Sequence, residues 1–256
     1  MATSSPAANK RLIGYTDRAP WRIQAFVIGY HRRVIRPVTI VFIVLTALAC
    51  AALVYLQRID VAGAAAVAKL LASSGFIATA ISAGALGHRF GRVMVVGFVL
   101  SWIGDFFLIG TARQTFLLGL ASFLAAHLAY MTAFVIRGQD RRWLAFASFP
   151  LIVVALGVSA WLAPHVPAEL VAPVRAYTVV ITLMVIMAFG ARGAGAPGII
   201  VLGALFFLGS DLSVAALRII GTDFPSYVWG LPMYYAGQLC LAVGAGLAVG
   251  AGQHDT

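Results

Sequence analysis

Eight apolar runs of roughly twenty residues dictate what this chain can fold into. A helical run of about that length crosses the hydrocarbon of a bilayer. With no water there to satisfy backbone groups, the helix closes its own hydrogen bonds. The runs fall at about 38–56, 61–83, 91–110, 114–136, 143–163, 171–190, 197–217 and 231–251. Short polar segments with helix breakers separate them, among them Gly87-His88-Arg89, Pro164-His165-Val166-Pro167 and Asp223-Phe224-Pro225. Only Gln57-Arg58-Ile59-Asp60 stands between the first two runs. Charged residues make up 10% of the chain, against about 25% in a soluble domain. The expected fold is therefore an all-α integral membrane protein, a bundle of eight transmembrane helices over residues 38–252. A basic segment, residues 1–37, precedes it.

The net charge of +10 does not mark a nucleic-acid binder, because the basic residues lie in short segments between apolar runs. There they set orientation. Thirteen Lys and Arg fall in the N-terminal segment and the loops after the second, fourth and sixth runs, and four in the loops between. That bias puts both termini in the cytoplasm. Lys69 counts for neither side, since it lies within the second run. The N-terminus has no secretory h-region. Trp21–Ile28 followed by His31-Arg32-Arg33 can form an interfacial amphipathic helix, with aromatics toward lipid and arginines toward head groups; a basic tail without structure fits the same residues. Cys50 and Cys240 sit in separate apolar runs and make neither a disulfide framework nor a CxxC motif. Arginine outnumbers lysine sixteen to two, a composition that points to a GC-rich bacterial genome and hence a bacterial plasma membrane.

Small residues four apart, Gly84 and His88, Gly87 and Gly91, Gly246 and Gly250, suggest places where helices approach closely. A small-residue-then-Asp step recurs in the third helix of each four-helix half, at Gly104-Asp105 and Ser210-Asp211. Two parallel halves related by an axis along the membrane normal would produce that echo, and so would chance.

Those two aspartates are the chemical signal. An acidic side chain at mid-helix costs roughly 2.5–3.5 kcal/mol on insertion scales, and the other acidic residues sit in termini or loops. Counting at 1.5 Å per residue places Asp105 about five residues, or ~8 Å, from the outer end of its span. Asp211, Lys69, Tyr177, Tyr234, Tyr235 and Gln238 fall in the same outer third. Ser101 and Asp105 share a helix face, as do Phe123, His127 and Tyr130. His127 lies deeper, at the floor of a pocket or in a separate polar contact. Each of these also has a structural reading: Lys69 neutralising one Asp, the tyrosines an aromatic belt, Ser101 and Gln238 hydrogen-bonding between helices. The aspartates resist it best, because one Lys cannot answer two carboxylates.

The strings Ser101-Trp102-Ile103-Gly104-Asp105-Phe106-Phe107-Leu108, Phe123-Leu124-Ala125-Ala126-His127-Leu128-Ala129-Tyr130, Gly203 through Ser210-Asp211, and Tyr234-Tyr235-Ala236-Gly237-Gln238 resemble the YhhN-like lysoplasmalogenase family. The resemblance runs from about the second span to the C-terminus. Leu70 after Lys69, where the family usually has Pro, is a departure, and residues 1–37 look like an addition. The resemblance implies an eight-helix membrane enzyme that hydrolyses the vinyl ether bond of lysoplasmalogens to a fatty aldehyde and glycerophosphocholine or glycerophosphoethanolamine. It also implies that Asp105 and Asp211 are the catalytic pair.

The chemistry suits two carboxylates. Vinyl ether hydrolysis begins with proton transfer to the β-carbon, which makes an oxocarbenium ion that water then traps. One carboxyl group can give the proton while the other stabilises the cation and orients water, as in glycoside hydrolysis. Lys69 beside one aspartate would keep that one ionised. Arg175 and Arg218 could hold the phosphate, and Tyr227 and Trp229 a choline. Lys69, Ser101, His127, Tyr130, Tyr177, Ser210, Tyr234, Tyr235 and Gln238 are the expected substrate-binding or supporting residues. No metal or cofactor is expected: of His31, His88, His127, His165 and His254 only His127 lies in the membrane core, so three histidines are not available there. Gly-x-Ser-x-Gly is absent as well. The expected partners are a lysophospholipid and membrane lipid, with no nucleic acid or protein. The alternative function is a proton-coupled transporter of a lipid or small amphiphile, since membrane Asp, Lys and His also build proton relays.

Overall fold

A computed structural model describes residues 35–222, 225 and 227–248. The amphipathic segment expected around 21–33 and Gly250 lie outside the described residues. Eight long helices follow in order: α1 Pro37–Arg58, α2 Ala62–Ser82, α3 Arg89–Phe107, α4 Arg113–Arg137, α5 Arg141–Leu162, α6 Val171–Gly193, α7 Ile199–Ala215 and α8 Tyr227–Leu247. Single 3₁₀ turns precede α3 and α6, at Ala85–Gly87 and Ala168–Leu170, and a π-helical turn, Ala216–Ile220, ends α7.

Local chemistry sets several of the ends. Pro37 opens α1, where its missing N–H costs nothing. Asp140 caps α5 by accepting from the backbone N–H groups of Arg142 (2.8 Å) and Trp143 (3.2 Å). Gly138, at φ 103°, lets the chain turn sharply out of α4.

Seven of the helices are long and apolar enough to cross a membrane: α1 to α5, α6 with its leading turn, and α7 with its π-turn. The eighth differs for a structural reason. Helix α8 lies against α7, α2, α1 and α3 and buries Tyr234, Tyr235 and Gln238 along with small residues. Protein surrounds it, so it can spend apolar length on polar groups that neighbouring helices satisfy. It also begins four residues before the expected position, which puts Pro232 inside the helix. Pro150 likewise lies well inside α5 rather than near its start.

The outward surface carries Val41, Leu48, Val67, Leu71, Phe146, Phe149 and Leu156, all more than half exposed. An apolar surface of that extent needs lipid or another apolar partner. Together with the helix lengths it is consistent with a multi-pass membrane bundle.

Consecutive helices pair as hairpins, α1 with α2, α3 with α4, α5 with α6 and α7 with α8, and α4 against α6 repeats the contact of α8 against α2. The repetition stops at one place. Helix α1 packs on α8, whereas α5 rests mainly on α6 and leaves α4. From Ile152 to Trp161 no residue of α5 is buried. The crossing of α7 and α8 is glycine on glycine: a Cβ at Gly203 of α7 would stand 2.8 Å from the Gly237 carbonyl of α8. Of the expected close approaches, those at Gly91 and Gly246 are there, against the backbone of Ala85 and Ala83, and those at Gly84 and Gly87 are not. A Cβ at either would meet open space, and Gly84, at φ 95°, serves the turn after α2 instead.

Candidate functional site

A cavity of about 410 Å³ opens where α5 stands away from α4. Its walls come from α4, α5, α6, α7 and α8, with single residues of α1, α2 and α3 (Gln57, Lys69 and Asp105) completing them. Asp105 and Asp211 both line it, as do Lys69, Tyr177, Ser210 and Tyr234. The two acids stand near the ends of α3 and α7 that lead into the loops after these helices. Both therefore lie toward one end of the bundle, as counting along the sequence leads one to expect.

Asp105 is buried and well supplied with donors. Its Oδ2 accepts from the Ser73 hydroxyl (2.7 Å) and the Tyr234 phenol (2.7 Å). Its Oδ1 faces the Lys69 ammonium at 3.4 Å. Lys69 and Ser73 are four apart, so α2 presents both to the same carboxylate. A buried charge needs such compensation. Tyr235 holds the arrangement from behind, with its hydroxyl 3.2 Å from Ser73 Oγ and donating to the Lys69 carbonyl (3.2 Å).

A chain of hydrogen bonds runs inward from Tyr234. The Gln238 amide donates to the Tyr234 hydroxyl (3.3 Å), the Tyr130 hydroxyl donates to Gln238 Oε1 (3.0 Å), and Tyr130 meets Ser101 Oγ at 3.3 Å. Ser101, Tyr130, Tyr235, Gln238 and His127 are buried and are not among the residues that line the cavity. They fix the wall residues. Of the residues expected to bind or support substrate, these five stand behind the wall, whereas Lys69, Tyr177, Ser210 and Tyr234 line the cavity.

Asp211 is half-buried and differently equipped. Its Oδ2 accepts from the Tyr177 hydroxyl (2.8 Å), and among the described residues no cation lies within ion-pair distance of it. Tyr177 leans on His127, ring centres 5.4 Å apart, and His127 packs edge-on against Phe207 at 4.7 Å. The histidine Nδ1 is taken up by the Phe123 carbonyl one turn earlier, and among the described residues its Nε2 has no hydrogen-bond partner. His127 thus sits behind Tyr177, beneath the cavity wall.

Beyond the acids the lining is largely apolar, with Leu120, Val158, Ile181 and Leu208 among it. Gln57, Arg218 and Tyr227 bring polar groups to the same space. Arg218 belongs to the π-turn and reaches the Leu108 carbonyl at the end of α3 (3.3 Å); π-turns recur at functional sites. Arg175 is exposed and does not line the cavity, and Trp229 lines an adjoining cleft rather than the cavity itself. Two contributors escape the sequence. Ser73 is announced only by its spacing from Lys69, and Gln57 only by its place in the first interhelical turn.

No curated protein and no solved structure matches the chain. The sequence pattern of the YhhN family matches residues 64–245, a stretch that carries both aspartates, Lys69 and the Tyr234–Gln238 segment. On that match over most of its length, the chain belongs to the YhhN family.

Proposed function

We propose that this protein is a membrane hydrolase that cleaves the vinyl ether bond of lysoplasmalogens, releasing a fatty aldehyde and a glycerophospho-head-group alcohol. The observation that carries the reading is the shared cavity: two carboxylates from distant helices border one largely apolar space. A mostly apolar pocket with a few convergent polar groups suits an amphiphilic ligand, and family membership supports hydrolysis.

The two acids have unequal surroundings, and we assign them unequal roles. Lys69, Ser73 and Tyr234 compensate a negative charge on Asp105. Asp211 has the Tyr177 hydroxyl and, among the described residues, no counter-cation in reach. Asp211 is therefore the group that carries a proton to the β-carbon. Asp105 is the anion that stabilises the oxocarbenium ion and takes a proton from the attacking water. The hemiacetal so formed collapses: Asp105 passes the proton it took from water to the departing alkoxy oxygen, which leaves as the glycerol hydroxyl, and the hemiacetal hydroxyl gives its proton to Asp211 as the aldehyde forms. Such pairing of a proton donor with an anion is the logic by which carboxylates cleave glycosides. Arg218 is placed to meet the phosphate.

Orientation belongs to the same proposal. The excess of Lys and Arg on one side puts both termini in the cytoplasm, which opens the site toward the outer half of the membrane.

The test is to incubate the purified protein with lysoplasmalogen and assay aldehyde, beside Asp105→Asn and Asp211→Asn. Wild type should release aldehyde, and each variant should lose about a hundredfold or more, the usual weight of a general acid or base. Uptake of intact lipid into vesicles without cleavage would instead make the chain a transporter.

A further inference from the structure

The apolar part of a lysolipid needs a way in from the bilayer, and one side of the molecule is built for it. A second cleft of about 600 Å³ adjoins the first, bordered by Val154, Gly157, Val158 and Trp161 of α5 and by Leu212 and Ala216 of α7 and its π-turn. The α5 residues recur at the three-and-four spacing of one helix face. Val154, Val158 and Leu212 line both spaces. The cleft thus shares a wall with the cavity that holds Asp105 and Asp211. It lies on the stretch of α5 where no residue is buried.

We infer that the gap between α5 and α7 is a lateral portal, and that its occupant is the long alkyl chain of the lipid substrate. The inference rests on the proposed function for the identity of that lipid. Three features select this occupant. The border is apolar except for Thr222 at its edge. The open side faces what the exposed Val153, Leu156 and Phe149 on the same helix also face, which in a membrane is lipid. The wall it shares, at Val154, Val158 and Leu212, borders the cavity of the carboxylates, where the vinyl ether at the head of the chain must react. A chain lying in the portal leaves the phosphate near Arg218.

Gly157 provides the handle. A Cβ there would meet nothing within 4 Å, so a large side chain can occupy the cleft without displacing protein. Gly157 is a specificity-determining position under this reading, and Leu156, exposed on the same helix and bordering neither space, is the control.

The experiment uses the full chain in lipid nanodiscs and a lysolipid with a diazirine at the end of a hexadecyl chain. Photolabelling followed by peptide mapping should mark α5 between Val154 and Trp161 and α7 around Leu212 to Ala216. Gly157→Trp should reduce that labelling about tenfold, within the range over which apolar pockets discriminate chain length, and Leu156→Trp should leave it unchanged. Labels elsewhere, or equal labelling in Gly157→Trp, would overturn the portal. This readout does not require cleavage, so it stands apart from the hydrolase reading. Where aldehyde release is observed, Gly157→Trp should slow a hexadecenyl substrate and spare a butenyl one. Equal loss on both would count against the portal. Gly157→Leu, a smaller filler, should give the same pattern in weaker form and guards against a tryptophan variant that fails to fold.

Discussion

At the scale of single residues, the site turns on how differently two like side chains are held. Asp105 has three donors and one of them is a cation, whereas Asp211 has a tyrosine. Lys69→Met probes that difference. Removing the positive charge leaves a buried carboxylate without its partner, a loss typically worth about 3–5 kcal/mol. Purified Lys69→Met should therefore melt at a lower temperature. A carboxylate without its cation also takes a proton more readily, so the acidic limb of the pH–rate profile should move toward neutral pH. A limb that stays where it is in wild type would show that Lys69 does not hold Asp105 ionised. The aspartates were legible in the sequence because charge in an apolar run is rare and expensive. Ser73 was not, because a serine can satisfy its hydroxyl on the preceding turn and cost a helix little, as this one does with the Lys69 carbonyl. His127 was visible as a polar residue, but which side of Tyr177 it stood on depends on how α4, α6 and α7 meet. That is tertiary information.

At the scale of helices, α7 and α8 form the frame that brings Asp211 and Tyr234 to one cavity. Their crossing depends on Gly203 and Gly237, each of which faces the other's carbonyl. Gly203→Val would push the backbones apart. Overpacking of this kind costs about 1–3 kcal/mol, which should appear as a lower unfolding temperature in detergent, together with lost activity. A variant as stable as wild type would show that the crossing tolerates separation. Helix positions were readable from apolar length within a few residues for α1 to α7. The eighth was displaced because its polar residues dilute the very signal that marks a span, and because Pro232 reads as a start when it lies inside the helix. Small-residue spacing was a partial guide to close approaches: Gly91 and Gly246 lie against backbone, at Ala85 and Ala83, whereas Gly84 and Gly87 face open space, and the glycine pair at the α7–α8 crossing lies thirty-four residues apart in sequence. Spacing within one helix does not say what lies opposite.

At the scale of the whole molecule, the hairpin order and the apolar exterior follow from hydropathy alone, while the opening does not. It arises because α5 lacks the contact with α4 that α1 makes with α8. Nothing in α5 announces this, since a helix facing lipid and a helix facing a lipid-filled cleft have the same composition. Orientation can be checked with a membrane-impermeant maleimide on a background of Cys50→Ala and Cys240→Ala. Thr111→Cys should label in intact cells and Arg141→Cys only after lysis; the reverse pattern would invert the topology. The most direct test of the paired acids is to run the reaction in heavy water and trap the aldehyde at once as a hydrazone for mass spectrometry. Proton transfer to the β-carbon predicts one deuterium on the carbon next to the aldehyde in wild type, and almost no aldehyde from Asp105→Asn or Asp211→Asn. Aldehyde without deuterium, or undiminished release from either variant, would contradict the account.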